Sequence, residues 1–320
     1  MMKILRLKER AWTIGITILF LILGYWRASQ LPRFGSYEIK TILLGVLPIA
    51  LLAMGQSIII IGGGINLALG PEAALINCIT AKYANGSSFG KTLFIVLLGL
   101  LVSILVGAIT GWIISTSGIA DIVVTLATSF IIIGLSMFIL PNPGGGANGD
   151  FAHLISGKGN SFLPPLLTFL IPYLFIWLPL YRSRSGIAMF AMGSSQDAAF
   201  LSGVDVKRTR IKLYAVGGLF AGLSGVTLTC ITLSASAIAT ISTTATLNSV
   251  AAAVLGGIAL TGGVGGLLGP ALASLVIYFI PVIMLGYGID PAYSQMIQGA
   301  LTVLVVMAGG FLRERTKRSA

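Results

Sequence analysis

Gly62-Gly63-Gly64-Ile65-Asn66-Leu67-Ala68-Leu69-Gly70-Pro71-Glu72 interrupts an apolar run that begins near position 41. Its four glycines, proline, amide and carboxylate have no low-cost place in a lipid-facing helix. Unpaired backbone groups in hydrocarbon cost several kcal/mol each, so a broken helix persists only where protein or a watered cavity covers it. Broken helices at membrane depth are one way in which transporters build a solute path. The segment therefore points to transport.

The rest of the 320-residue chain agrees with a membrane reading. Hydrophobic residues make up 56%, mean hydropathy is +0.99, and only 9% of residues are charged. A soluble domain carries about 25% charged residues, so this chain lacks the surface that would keep it dissolved. The expected fold class is an all-α polytopic membrane protein, with residues 1–320 forming a single transmembrane domain.

The net charge of +11 raises the question of nucleic acid, and the positions of the charges answer it. Of the 20 basic residues, 14 fall in three clusters: Lys3, Arg6, Lys8 and Arg10; Arg182, Arg184, Lys207, Arg208, Arg210 and Lys212; and Arg313, Arg315, Lys317 and Arg318. Such clusters mark the cytoplasmic side of membrane helices. They predict cytoplasmic N- and C-termini, a cytoplasmic loop over 182–212 and no nucleic-acid partner. The apolar stretch from Ala11 to Tyr25 resembles a signal peptide, but Trp26-Arg27 follows it instead of small residues, and it reads as a retained first helix.

Hydropathy places ten helices near 11–26, 41–61, 71–84, 91–116, 119–140, 163–181, 213–233, 246–261, 266–285 and 294–312. Parity supports this count, because six crossings before the basic central loop and four after it keep all three basic clusters on one side. The break near 62–71 is then the junction between two crossings. Pro71 suits a first helical turn, and the helix dipole favours Glu72 there. At about 1.5 Å per residue, 71–84 spans roughly 21 Å, so one end needs a polar or protein-lined cover. The outer loop 141–162 spells G-x-G-x-x-G at Gly144–Gly149, but it follows an apolar helix and not a strand, so it does not read as a nucleotide site. His153 in the same loop reads as solvated, and Asn85-Gly86-Ser87 is a sequon by spelling. Cys78 and Cys230 sit in apolar surroundings and read as small buried hydrophobes.

The first break has an echo. Gly63-Gly64-Ile65-Asn66-Leu67 recurs as Gly256-Gly257-Ile258-Ala259-Leu260, and Gly70-Pro71 recurs as Gly269-Pro270. Two corresponding breaks suggest a central pathway, and chance among small residues is the competing reading. Gln56, Asn66 and Asn77 are neutral donors and acceptors suited to an uncharged polyol, or they bond between helices. Gly107/Gly111 and Gly218/Gly222 have the spacing of close helix contacts. The sequence contains no Walker A motif, no G-x-S-x-G elbow and no His/Cys metal set, so no catalytic residue, cofactor or metal is assigned. Only Glu72 and Asp121 are acids within or beside apolar spans, which argues against an ion-driven carrier. In the central loop, Gln196–Leu201 reads as a short helix between Ser195 and Gly203. It would dock into a partner's groove or touch lipid head groups.

These residues resemble a known family. Gly63–Gly70 is similar to the Gly-Gly-Ile-Asp-Leu-Ser-Val-Gly signature of ABC-importer permeases of the ribose/xylose type, which share a larger family with branched-chain amino-acid permeases. Ile122–Thr128 resembles their Phe-Ile-Val-Thr-Leu-Ala-Thr segment, and Gly193–Val206 their cytoplasmic coupling loop. Ala252–Gly257 with Leu260–Gly263 resembles their Val-Leu-Gly-Gly-…-Leu-Ser-Gly-Gly stretch. The resemblance implies a ten-helix permease of the bacterial inner membrane that takes up a monosaccharide or similar polar solute. It implies a second permease copy or paralogue, ABC ATPase subunits on the coupling loops and a periplasmic solute-binding protein. The ATPase activity would reside in those partners and not in this chain.

Mapped on the sequence, the translocation pathway would use Gln56, Gly63, Gly64, Asn66, Gly70, Glu72 and Asn77. ATPase coupling would use Gln196, Asp197, Ala198, Ala199, Ser202 and Gly203. Asn66 stands where the family has Asp, Pro71 where it has Ser, and Val264 where it has Arg. These departures leave other solutes open: a furanose-like signal, a nucleoside or a branched-chain amino acid. An ion-coupled secondary transporter is the alternative of a different class.

Overall fold

The computed structural model describes residues 2–29, 35–290, 292–293, 296–297 and 299–300. In chain order the helices are α1 (Met2–Ser29), α2 (Ser36–Ile61), α3 (Leu69–Tyr83), α4 (Phe89–Ser117), α5 (Asp121–Ile139), α6 (Gly149–Ser156) and α7 (Leu163–Pro172). A π-helical turn, Tyr173–Trp177, runs on into α8 (Leu178–Arg182). Then come α9 (Arg184–Ser194), α10 (Gln196–Leu201), α11 (Val206–Thr232), α12 (Ala239–Leu255) and α13 (Leu268–Gly286). No strand occurs among the described residues, only an isolated bridge between Gly144 and Ala235. Among the described residues, six stretches are long and apolar enough to cross a membrane: Ser36–Ile61, Phe89–Ser117, Asp121–Ile139, Leu163–Arg182, Val206–Thr232 and Leu268–Gly286. This is a multi-pass membrane protein.

Helix α11 is the hub. Its glycines remove side-chain bulk on three faces. Gly217 lies against Ile59 of α2, Gly218 and Gly222 against Ser103 of α4, and Gly225 against the Ala73 carbonyl of α3. A Cβ on Gly218 would collide with the Ser103 carbonyl oxygen. The approach lets the Ser103 hydroxyl donate to the Gly218 carbonyl at 2.5 Å. From the α4 side, Gly107 and Gly111 close on Tyr214 in the same way. Both predicted small-residue spacings therefore meet across one contact, as lipid-embedded helices favour.

Several helices start earlier than their sequence-based bounds, α11 and α12 among them. Helix α12 starts at Ala239 and not at 246. Ser242, Thr243, Thr244 and Thr246 depress the local hydropathy, yet such hydroxyls can bond within their own helix, as Thr246 Oγ1 does to the Ser242 carbonyl at 3.2 Å. Helix α11 starts at Val206 and not at 213, because Asp205 caps it by accepting the Arg208 amide at 2.9 Å. The 182–212 loop is thus mostly helical, containing α9, α10 and the first turns of α11. The expected helix 294–312 lies almost wholly outside the described residues.

The 141–162 loop covers the short helix α3. Gly146 N–H donates to the Ala81 carbonyl at 2.9 Å, while Gly144 and Ala235 exchange two backbone bonds of 3.0 and 2.9 Å. Gly145 beside them has φ +86° and faces the same Ala81 carbonyl. The G-x-G-x-x-G spelling is therefore structural, with the Asn148 side chain capping α6 through the Phe151 amide. Helix α6 carries His153 exposed. Cys78 and Cys230 are buried free thiols in separate apolar clusters.

Replacing Gly218 by Leu should separate α4 from α11 and cost about 1–3 kcal/mol or more, the usual range for overpacking. Gly134→Ala, where a Cβ meets nothing within 4 Å, should leave stability unchanged. Melting temperatures of the detergent-solubilised variants check both.

Candidate functional site

The break is built from a helix end that favours glycine. Helix α2 stops at Ile61. Gly63 takes φ +84°, its amide bonds Ile60 O at 2.8 Å, and the Gly64 amide bonds Ile59 O at 3.0 Å. This is a Schellman end. Asn66 Oδ1 then accepts the Ala68 amide at 2.8 Å, and α3 begins at Leu69. The second break repeats the device. Gly257 has φ +89°, its amide bonds Val254 O at 2.9 Å, and the Ile258 amide bonds Ala253 O at 3.1 Å. Gly-Pro occupies the first turn of both α3 and α13. The echo in the sequence is a repeat in the backbone. The second connection is longer and bends through Gly262, Gly263 and Gly265, all at positive φ.

The two breaks touch, and α9 touches both. The Gly263 amide donates to the Ile61 carbonyl at 2.8 Å, which satisfies an acceptor left over at the end of α2. Gly193, near the end of α9, lies against that carbonyl and the Gly263 nitrogen, with no room for a Cβ. Gly262 lies against Gly63 and the Gly193 carbonyl. Helix α10 follows directly after α9. Ser195 Oγ accepts the Ala198 amide at 3.3 Å, and Gly203 closes the segment at φ +82°, matching the caps expected from sequence.

Side chains around the first break fall into four groups. On α12, Thr246 Oγ1 accepts the Gly70 amide at 3.0 Å, with Ser242 and Ser249 also buried. Gln56, the Asn66 amide nitrogen and both Glu72 carboxyl oxygens are buried without a hydrogen bond among the described residues. Asn77 is engaged elsewhere: its Oδ1 accepts Thr229 Oγ1 at 2.7 Å, joining α3 to α11. Behind the break, Tyr214 Oη donates to Asp121 Oδ2 at 2.8 Å and lies 3.3 Å from Ile65 O. Gly64 faces this pair. Of the seven pathway candidates, Gly63 alone is exposed.

On α10, Gln196, Asp197, Ala198, Ser202 and Gly203 are exposed, but Ala199 turns inward at 3% exposure. The apolar tip is Phe200 and Leu201, at 70% and 84%. A cavity of about 290 Å³ lies beside the second break, between Tyr173, Trp177 and Tyr181 and the glycine-rich segments Gly256-Gly257 and Gly265-Gly266. Among the described residues, no group of three His, Cys, Asp or Glu side chains could hold a metal.

Sequence reasoning missed Thr246, Tyr214, Arg210, Phe200 and Leu201. A signal existed for two sets: hydroxyls clustered in an apolar helix, and adjacent large apolars in a polar loop. Tyr214 and Arg210 carried none beyond their four-residue spacing.

Residues 38–306 match the family model described as branched-chain amino acid transport system / permease component. The chain belongs to this permease family. It is 31% identical over 311 residues to the probable ABC transporter permease protein y4mJ of Sinorhizobium fredii, covering 96% of this chain and 90% of that protein. It is 28% identical over 297 residues to the ribose import permease protein RbsC of Bacillus subtilis, covering 92% and 90%. The fructose import permease protein FruG of Bifidobacterium longum is 27% identical over 306 residues, covering 92% and 88%. No solved structure matches the chain.

In this permease, Thr246→Val should leave the Gly70 amide without its acceptor and destabilise the fold by about 1–3 kcal/mol. Thr246→Ser should retain most of the wild-type stability. Thermal unfolding in detergent separates the two variants.

Proposed function

We propose that this chain is the membrane permease subunit of a bacterial ABC importer for a monosaccharide, with ATP hydrolysed by a partner. The observation that carries the reading is the junction of Gly63, Gly193 and Gly262. There the segment leading into α10 rests on both helix breaks at once. The relatives named for ribose and fructose import support a sugar as cargo.

In this reading the chain crosses the inner membrane ten times, with both termini in the cytoplasm. The ATPase receives α10, presented through Gln196, Asp197, Ala198, Ser202 and Gly203 around Phe200 and Leu201. Ala199 pegs the helix to α9 from within. A periplasmic binding protein delivers the solute from the opposite side. The apolar row of α5, including Phe130, Ile131 and Phe138, is exposed in the single chain and meets lipid or a second permease. Gln56, Asn66 and Glu72, with the backbone of Gly63, Gly64 and Gly70, form the polar interior of the pathway. Their unpaired donors and acceptors suit a hydroxylated, uncharged solute. Asn77 holds α3 against α11 beside that interior.

The decisive experiment is uptake of labelled monosaccharides into vesicles containing this chain, its ATPase and its binding protein. Import should require ATP and all components. Import by this chain alone under an ion gradient would overturn the reading. Phe200→Asp combined with Leu201→Asp should abolish co-purification of the ATPase while insertion and melting temperature stay as in wild type. The topology has its own check: a cysteine at Ser202 should react with an impermeant thiol reagent only from the cytoplasmic side, and one at Lys158 only from outside.

A further inference from the structure

We propose that Tyr214 and Asp121 form a latch that ties the first break to α11, and through α11 to the coupling helix α10. The inference rests on the permease reading but concerns how ATP-driven motion reaches the pathway. Asp121 opens α5, where the helix dipole favours an acid. Its Oδ2 accepts the Tyr214 hydroxyl at 2.8 Å, and its Oδ1 lies 4.0 Å from Arg210 Nη1. The Arg210 and Asp121 side chains are only 15% and 18% exposed, and Tyr214 is 1% exposed. Charges so enclosed within a membrane protein are costly and mark function more often than surface pairs do.

The latch has two positions open to it. A phenol has one proton, and two acceptors compete for it. Asp121 holds it at 2.8 Å, while the Ile65 carbonyl of the break stands at 3.3 Å. A small shift of α11 relative to the start of α5 moves the hydroxyl from the carboxylate to the break. Gly64 lets the backbone come this close: a Cβ there would sit 2.6 Å from Asp121 Oδ2 and 2.9 Å from Tyr214 Oη.

The lever runs from α10 into α11 through the turn 202–205, where the Val204 amide donates to the Ala199 carbonyl at 3.0 Å. Helix α10 ends at Leu201, Asp205 caps α11 by accepting the Arg208 amide, and α11 runs unbroken from Val206 through Arg210 and Tyr214. Arg210 and Tyr214 are one helical turn apart on one face. Two helical turns, roughly 12 Å, separate the start of α11 from the latch. Displacement of α10 therefore reaches Tyr214 through this turn and the rigid α11. Both are positioning residues, since neither lies among the groups assigned to the solute.

The test uses the reconstituted complex of full-length permease, ATPase and binding protein, with sugar imported and ATP hydrolysed measured in the same vesicles. The wild type must import first, and its failure would count against the permease reading and not against the latch. Tyr214→Phe deletes one oxygen and Asp121→Asn keeps the carboxylate's shape. Each should lower the melting temperature no more than Thr246→Val does and keep wild-type ATP hydrolysis, while sugar imported per ATP falls about tenfold, the change expected for one hydrogen bond to a charged group. An unchanged ratio in both variants would overturn the proposal. So would a lowered melting temperature with import and hydrolysis falling in proportion, which is what a merely structural bond produces.

Discussion

Helix α11 touches α2, α3 and α4 together because glycine replaces a side chain on each of the three faces involved. In hydrocarbon there is little hydrophobic gain from joining apolar helices, so association depends on close packing and on polar bonds between helices. Glycine supplies the first and makes room for the second. Ser103 reaches the Gly218 carbonyl, Thr229 reaches Asn77, and Ser224 reaches the Pro48 carbonyl at 2.8 Å. The rest of the site inherits its geometry from this hub, because α2 and α3 flank the first break and α11 backs it.

The breaks themselves survive by sharing their unpaired groups. A helix end exposes several backbone acceptors and the next helix start several donors. Here the Schellman bonds satisfy the acceptors at the end of α2, and Gly263 from the other break takes the Ile61 carbonyl. Thr246 takes the Gly70 amide at the start of α3. Each break is therefore sealed partly by its own turn and partly by a distant segment, which makes the two mechanically dependent on each other and on α9.

Much of this was legible in the sequence, and the exceptions have physical causes. Glycine after a long apolar run, followed by Gly-Pro, announced a helix end and a helix start because few other residues allow that backbone. The caps of α10 were legible for the same local reason. Hydropathy failed at α12, since it treats a hydroxyl as polar even where the hydroxyl bonds within its own helix. It also failed at the start of α11, where basic residues in the first turns masked a capped helix. No local signal distinguishes the inward Ala199 from the outward Phe200, because that depends on how α10 lies against α9. The partnership of Asp121 with Tyr214 spans 93 positions and is fixed only by the hub.

The repeat also exposes a difference that sequence symmetry hides. Both breaks have the same Schellman backbone, but their surroundings diverge. The first is backed by Tyr214, Asp121 and Thr246, so moving it means exchanging hydrogen bonds. The second adjoins the cavity walled by Tyr173, Trp177 and Tyr181, where the backbone lacks dispersion partners on one side. That wall includes the π-helical turn after Pro172, an irregularity often found at functional positions. Its longer connection, with three residues at positive φ, adds further freedom. Since the Gly263 amide is bonded to Ile61, a rearrangement of the looser break cannot leave the clamped one undisturbed.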